Sequence, residues 1–287
     1  MIYSMTGYGK AEDVIGESQY TVEIKTLNGK FFDLQVKMPS DFREKELEIR
    51  KLLEKKLLRG KAVMFLNVES LSGVATRKLN TNVLQQYLNI ISEAFPVQDQ
   101  DKILSHLLSA PDVWEKQEPE DLDALWKGIL RLLEKALDEV QHFRLQEGKE
   151  LERDIIEKLE IIKKALNRVE ELDPKRVEKI KSRLKKSLAE LKGQVDPVRF
   201  EQEVIYYLDR LDINEEIVRL HHHINYFKKV LDSPEIVKGK KLQFIIQEMG
   251  REINTIGSKA NDSSIQRKVV EMKDALEKIK EQTLNVL

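Results

Sequence analysis

One stretch of the chain decides its fold: "LDALWKGILRLLEKALDEVQHFRLQEGKELERDIIEKLEIIKKALNRVEEL", residues 122–172. Its apolar residues recur at steps of three and four, and no proline interrupts them. This pattern predicts an extended, coiled-coil-like helix, with the one expected break near Gly148. We expect a helix of this kind to be a solvated spacer or an oligomerisation arm.

Before about residue 80 the chain alternates between apolar and polar side chains, the pattern of half-buried strands. Four segments show it: residues 2–12, 19–28, 30–39 and 61–71. Asn28-Gly29 is typical of a tight hairpin turn between two strands. Ser40 is a capping residue for a helix that ends at Gly60. These signals predict a small unit of roughly four strands and one helix.

The strand signals stop after about residue 80, where Asn80 or Thr81 caps a new helix. Pro96, Pro111 and Pro119 divide the next segment into short helices and turns. Beyond the long helix, a capping residue precedes a proline in Asp173-Pro174, Asp196-Pro197 and Ser233-Pro234, which predicts helix starts near 174, 197 and 234. A last helix is expected to follow Asn261-Asp262.

Together these patterns predict an α+β protein, with a small β-sheet-plus-helix unit followed by a mostly helical region containing long coiled-coil-like helices. We predict three domains: 1–78, 79–172 and 173–287. The last of these contains the most varied polar segment of the chain.

Composition excludes several classes of protein. The 287 residues include no cysteine, which excludes disulfides, thiolate metal sites and cysteine nucleophiles, and is typical of the cytoplasm. No signal-peptide pattern and no apolar run of about 18 residues occurs, so we expect a cytoplasmic protein with no membrane contact. Aromatic residues make up only 6%, which argues against a base-stacking surface. The P-loop, dinucleotide-binding and nucleophile-elbow motifs are missing.

The segment "LQFIIQEMGREINTIGSKAND", residues 242–262, places two polar stripes on one helix. The stripes consist of Glu248, Glu252, Thr255 and Lys259, and of Gln247, Arg251, Asn254, Ser258 and Asn261. Two carboxylates one turn apart can bind Mg²⁺ or Mn²⁺ through oxygen, and the neighbouring cations would hold a phosphodiester. The alternative is a solvated face with helical salt bridges.

Local charge favours the first interpretation, because residues 238–268 have a charge of +4 in a chain of net charge −1. Polyanion binding requires such a local patch. Seven basic residues stand against three acids in this segment: Lys238, Lys240, Lys241, Arg251, Lys259, Arg267 and Lys268 against Glu248, Glu252 and Asp262.

A second acidic cluster precedes this segment, and it contains Asp209, Asp212, Glu215 and Glu216. Any of these can lend a carboxylate to the same site, or form an ordinary charged helix surface. Of the consecutive histidines 221–223, at most one can face a site, because neighbours on a helix point about 100° apart. His223 is the best candidate, as a general base toward a ribose 2′-hydroxyl.

The sequence resembles the YicC (YicC/YloC) family over nearly its whole length. The similar segments are "SMTGYGKAE", "VEIKTLNGKFFDLQVKMP", "LLRGKAVMFLNV", "EGKELERDI" and "GKKLQFIIQEMGREINTIGSKANDSSI". The resemblance implies a metal-dependent endoribonuclease acting on single-stranded RNA, linked in some members to small-RNA turnover. It also implies a ring- or clamp-like homo-oligomer with an N-terminal α+β part and a helical C-terminal part.

Particular residues match the family's motifs. From the chemistry of these residues we expect catalytic roles for Glu248, Glu252, Arg251 and His223, and RNA binding by Lys25, Asn28, Lys30, Arg59, Lys61, Asn254 and Lys259. The metal, Mn²⁺ or Mg²⁺, would be held by Glu248 and Glu252 with Asp212, Glu215 or Glu216. Gly250 departs from the family's asparagine, which costs about 1 kcal/mol of helix propensity and removes a side chain.

Three hypotheses follow. The leading one is a metal-dependent endoribonuclease with RNA as substrate, a homo-oligomer that works beside other RNA-degradation proteins. The alternative is a non-catalytic oligomeric adaptor that binds RNA and presents it to another nuclease. The third is a purely structural oligomer, which would have no RNA affinity.

Overall fold

The computed structural model describes residues 1–71, 77–94, 100–116, 122–190 and 197–287. Its N-terminal part is a four-stranded sheet with one helix between the third and fourth strands. The elements are β1 (Gly7–Ile15), β2 (Ser18–Leu27), β3 (Asp33–Lys37), α1 (Glu46–Leu57) and β4 (Lys61–Ser70). A 3-10 turn over Ser40–Lys45 leads into α1.

The strand order is β1-β2-β4-β3, with β3 parallel to β4 and the other pairs antiparallel. The predicted hairpin at Asn28-Gly29 is therefore wrong, because β4 lies between β2 and β3. The loop after β2 instead passes the end of β4 to reach β3 on its far side. Arg59 stabilises this loop by donating from Nε to Gly29 O, at 3.1 Å. The only hairpin in the described sheet is β1-β2, whose turn contains Gly16 at φ +65°.

The middle of the chain contains β5 (Arg77–Leu79), α2 (Thr81–Ala94), α3 (Gln100–Leu107) and β6 (Trp114–Lys116). The predicted cap of α2 is confirmed, since Asn80 Oδ1 accepts from Val83 N–H at 3.1 Å. The expectation that strands stop near residue 80 is wrong, because β6 pairs with β5. Three-residue strands are too short to show alternation. Pro96 and Pro119 lie outside the described residues.

The rest of the described chain is helical: α4 (Leu122–Glu190), α5 (Pro197–Arg210), α6 (Asn214–Asp232), α7 (Gly239–Ala260) and α8 (Ser263–Thr283). The predicted starts at 197 and after Asp262 are confirmed, and Asp262 Oδ1 accepts from two backbone N–H groups of α8. The start predicted near 234 is wrong, because Ser233 Oγ donates to Val230 O and so belongs to the end of α6. None of the described helices has the length and apolar character of a membrane span.

The long helix α4 is shared by two hydrophobic cores. Its first half covers the sheet, where Ile129, Leu133 and Val140 are buried with Val22 and Met64. Its second half covers α6, α7 and α8, and the buried residues there include Ile155, Leu159, Ile162, Leu166 and Val169. The predicted α+β fold is confirmed. The expectation that residues 122–172 form a solvated spacer is wrong, because both halves are core.

The break expected at Gly148 is also wrong, because α4 runs straight through it. Residues 2–5 cross the helix here, and a Cβ at Gly148 would overlap the carbonyl oxygen of Ile2. Arg144, one turn earlier, is buried and donates to Met5 O at 3.2 Å and Leu57 O at 3.3 Å. Burial lowers the pKa of this guanidinium to about 10, so it stays charged at neutral pH. Glycine is therefore needed at 148 because the backbone of residues 2–3 approaches α4 closely there.

Pro174 likewise lies inside α4 and starts no helix. Arg176 stabilises the turn around it. Its Nε donates to Asp173 Oδ1 at 2.8 Å, while Nη2 donates to Leu211 O at 2.8 Å and Nη1 to Ala260 O at 3.1 Å. The guanidinium thus binds the C-terminal end of α7, where helix dipoles favour a cation. Tertiary bonds outweigh the local cost of the proline.

We expect Gly148→Ala to lower the free energy of unfolding by several kcal/mol, because the new Cβ meets backbone that cannot move away. Gly250→Ala is the matched control, since its Cβ would meet only Leu276 Cδ2 at 3.5 Å. That substitution should raise stability by up to about 1 kcal/mol through helix propensity. Urea denaturation of both variants measures this. Equal effects of the two substitutions would contradict the crossing at Gly148.

Candidate functional site

The polar face of α7 lies partly inside the protein. Its apolar side is core, with Ile245, Met249, Ile253 and Ile256 all buried. On the other side Glu252 is only 8% exposed, Glu248 and Lys259 are half-buried, and Arg251 and Asn254 are exposed. A buried carboxylate is unfavourable unless something pairs with it. The face is therefore more than a solvated surface.

A buried ion pair joins α7 to α6. Lys259 Nζ donates to Glu216 Oε1 at 2.8 Å, and the Glu216 side chain is 7% exposed. The other oxygen, Glu216 Oε2, is buried and has no hydrogen-bond partner among the described residues. An unsatisfied oxygen on a charged group is a typical sign of a site that binds something.

This ion pair also fixes the register of the two helices. His223 follows Glu216 by seven residues, and Glu252 precedes Lys259 by seven residues. Seven residues are close to two turns, so His223 lies on the same side of α6 as Glu216, and Glu252 lies on the same side of α7 as Lys259. In the described part of the chain neither makes a hydrogen bond or ion pair. We call Glu216, His223, Glu248, Arg251, Glu252 and Lys259 the α6–α7 stripe.

Glu248 has a partner on its own helix. Arg251 Nη1 lies 3.2 Å from Glu248 Oε1, and the guanidinium is 66% exposed. This is the helical salt bridge that spacing alone predicts, and exposed pairs of this kind contribute little to stability. Arg251 therefore remains available to an anion, because little energy is lost when it exchanges partners.

The residues predicted to hold a metal are dispersed. Glu215 is exposed and pairs with Arg219 on its own helix, while Asp212 Oδ1 accepts from Asn214 N–H at the start of α6. Among the residues that the structure describes, no three His, Cys, Asp or Glu side chains form a group that could hold a metal. A metal site built only from protein ligands of the described residues therefore does not fit. The donors that remain together are the two carboxylates on successive turns of α7.

The basic patch is smaller than its sequence indicates. Lys238 is 1% exposed, and its ammonium donates to Ser233 O at 2.7 Å, Leu231 O at 2.8 Å and Met1 O at 3.3 Å. Burial lowers the pKa of Lys238. Lys238 connects the end of α6 to the N-terminal segment through these hydrogen bonds. Because its ammonium is buried, it adds no charge to the surface.

The five N-terminal residues predicted to bind RNA lie at one end of the sheet. Lys25 is on β2, the loop after β2 holds Asn28 and Lys30, and Lys61 opens β4 opposite Leu27. Arg59 reaches this loop through its hydrogen bond to Gly29 O. Except for the half-buried Arg59, all of them are exposed.

Comparisons with known proteins identify the family of this chain. Residues 2–153 match the family model "Endoribonuclease YicC-like, N-terminal region", and residues 169–287 match "Endoribonuclease YicC-like, C-terminal". The chain belongs to the YicC family. It is 34% identical over 295 residues to the "Probable endoribonuclease YicC" of Clostridioides difficile, with both chains covered completely. It is 30% identical over 288 residues to the protein of that name from Haemophilus influenzae, again over the full length of both.

The first family model ends at residue 153 and the second begins at residue 169, so both boundaries lie within α4. The α6–α7 stripe lies wholly within the C-terminal region. The basic end of the sheet lies wholly within the N-terminal region.

We expect Lys259→Met to destabilise the protein by about 2–3 kcal/mol, because the Glu216 carboxylate would be left buried without its counter-charge. Adding Glu216→Leu should restore most of that loss. Lys268→Met is the control, since Lys268 pairs with the exposed Glu271 and should cost under about 0.5 kcal/mol. Urea denaturation gives all three values. A Lys259 variant as stable as the Lys268 variant would contradict the buried pair.

Proposed function

We propose that this chain is an endoribonuclease that cleaves single-stranded RNA on the α6–α7 stripe. One observation carries the proposal: Glu216 Oε2 is a buried carboxylate oxygen with no hydrogen-bond partner among the described residues, and Glu252, 8% exposed on the neighbouring helix, makes no hydrogen bond or ion pair with them either. Buried polar groups without partners are retained where they act on a ligand. Both relatives are named as probable endoribonucleases, and we base the proposed reaction, cleavage within an RNA chain, on those names.

The side chains of the stripe suit this chemistry. Arg251 and Lys259 bind the phosphate and neutralise the charge that develops on it. His223 accepts the proton of the ribose 2′-hydroxyl, whose oxygen then attacks phosphorus. The leaving 5′-oxygen takes a proton from solvent. Asn254, exposed one turn before Ser258, orients the strand by hydrogen bonding.

We also propose that a divalent cation, Mn²⁺ or Mg²⁺, takes part. Such ions are often held by one or two carboxylates together with substrate phosphates, and Glu248 and Glu252 fit that smaller role. When bound, the ion stabilises negative charge on the phosphoryl oxygens. The orphaned Glu216 Oε2 is a further oxygen donor near Lys259.

The proposal also covers the oligomeric state, the compartment and the class of RNA. We propose a homo-oligomer, ring- or clamp-like, that works in the cytoplasm on small RNAs beside other RNA-degradation proteins. The absence of cysteine in the sequence is in keeping with that compartment. The basic end of the sheet, with Lys25, Lys30 and Lys61, would grip the strand, either in the same subunit or in a neighbour.

We expect Glu252→Gln to slow cleavage of end-labelled single-stranded RNA at least about 100-fold in Mn²⁺, with RNA affinity retained. Glu277→Gln, at an exposed residue of α8 paired with Lys280, is the matched control and should cut normally. Parallel reactions in EDTA test the need for metal. Equal cutting by Glu252→Gln and wild type would contradict the site. Binding without cutting by the wild type would favour the adaptor hypothesis.

We expect a single 2′-deoxy substitution at the scissile nucleotide to stop cleavage, because the attacking hydroxyl is then absent. Products of the unsubstituted RNA should end in a 2′,3′-cyclic phosphate, and His223→Gln should slow their formation. Mass spectrometry of the fragments identifies the ends. Cleavage of the deoxy substrate, or fragments with a 3′-hydroxyl, would instead indicate attack by water and remove His223 from this role.

A further inference from the structure

The face of the N-terminal sheet that is not covered by α4 carries aromatic rings between lysines. Strand register places Tyr8 opposite Lys25, and Phe65 opposite Lys37 and Glu23. The other face of the sheet holds Val22, Ile24 and Met64 in the core, so alternation turns these five side chains away from it.

The rings and the ammonium groups are close together. Lys25 Nζ lies 5.6 Å from the centroid of Tyr8 and 5.7 Å from that of Phe65, so a single lysine bridges the two rings. Lys37 Nζ lies 5.0 Å from the Phe65 centroid. Tyr8 is 40% exposed. An aromatic ring beside a cation, open to solvent, is the arrangement that stacks a base and contacts its phosphate.

The loop after β2 extends this surface. Phe31 is 72% exposed, and Lys30 Nζ lies 5.5 Å from its ring centroid. The loop adjoins the end of the sheet where Lys61 pairs with Asp33 in register. Each of the three aromatic rings therefore has a lysine within 6 Å.

Carboxylates share the face and limit its charge. Lys10 pairs with Glu12 at 3.0 Å, and Lys25 pairs with Glu23 at 3.5 Å. Within the described chain, Lys37 and Lys61 form no ion pair, although Asp33 lies opposite Lys61 on the neighbouring strand. The lysines without an ion pair thus lie on β3 and β4, and Lys37 is the one beside Phe65.

We propose that this face, defined by Tyr8, Lys25, Phe31, Lys37 and Phe65, binds the bases of single-stranded RNA by stacking, and that its lysines contact the flanking phosphates. The proposal rests on the proposed function. It gives the endoribonuclease a second RNA-binding surface, separate from the α6–α7 stripe. Stacking tolerates any base, so the face binds single strands without a strong sequence preference. A duplex, whose bases are already stacked, does not bind here.

The low aromatic content of the chain does not prevent such a surface. Aromatic residues are 6% of the sequence, and no single strand is rich in them. The rings come from β1, β4 and a loop, and only the sheet order β1-β2-β4-β3 brings Tyr8 and Phe65 to either side of Lys25.

The test compares two uncleavable probes by fluorescence anisotropy in EDTA: a 2′-O-methyl oligouridylate and an abasic oligonucleotide of equal length. Tyr8→Leu and Phe65→Leu should each weaken binding of the oligouridylate about tenfold and leave binding of the abasic strand unchanged. Lys37→Gln should weaken both and reduce the salt slope by about 0.7. Tyr206→Leu is the matched control, because Tyr206 is 60% exposed beside Arg210 on α5.

Two results would overturn the base-stacking face. One is unchanged oligouridylate affinity in Tyr8→Leu and Phe65→Leu while wild type binds. The other is an altered oligomer mass by light scattering without loss of affinity, which would make the face a contact between copies. In both cases the proposed function survives if wild type still cuts RNA. A wild type that neither binds nor cuts would remove both proposals.

Discussion

The structure depends on one long helix, α4, whose two halves pack into two separate hydrophobic cores. α4 packs against the sheet with its first half and against α6, α7 and α8 with its second half. Because both cores share it, the N-terminal segment has to cross it closely, and Gly148 is the residue that allows that approach. Arg144 then satisfies carbonyl groups on both sides of the crossing. A side chain at 148 would overlap the backbone of Ile2 and displace this segment from α4.

The second core also determines the chemistry of the α6–α7 stripe. Its apolar side holds α7 against α6, which draws Glu216 and Glu252 partly out of water. Lys259 compensates the first carboxylate, whereas Glu252 makes no ion pair in the described part of the chain. Arg176 anchors the same end of α7 by binding its last carbonyl groups. If the proposed site is correct, stability and function make opposite demands on this interface, since a fully paired stripe would be more stable and chemically inert.

Much of the fold could be predicted from local patterns, because strands, caps and the long helix each have short-range signals. The α+β class, the cap at Asn80 and the start of α8 follow from residues a few positions apart. The Asn28-Gly29 crossing and the helical Pro174 could not be predicted, since strand order and the Arg176 bonds are tertiary. For the same reason the stripe residues were identifiable by type, whereas the pairing of Glu216 with Lys259 and the alignment of Tyr8 with Phe65 were not.

The most direct test of catalysis on the α6–α7 stripe is a map of where RNA touches the protein. Single-stranded RNA carrying 5-iodouridine would be cross-linked to the wild-type protein in EDTA, and the modified peptides identified by mass spectrometry. We expect cross-links in α6 and α7, near His223 and Lys259, in addition to any on the aromatic face of the sheet. Cross-links confined to other helices, such as α2 or the outer face of α8, would contradict a catalytic role for the stripe.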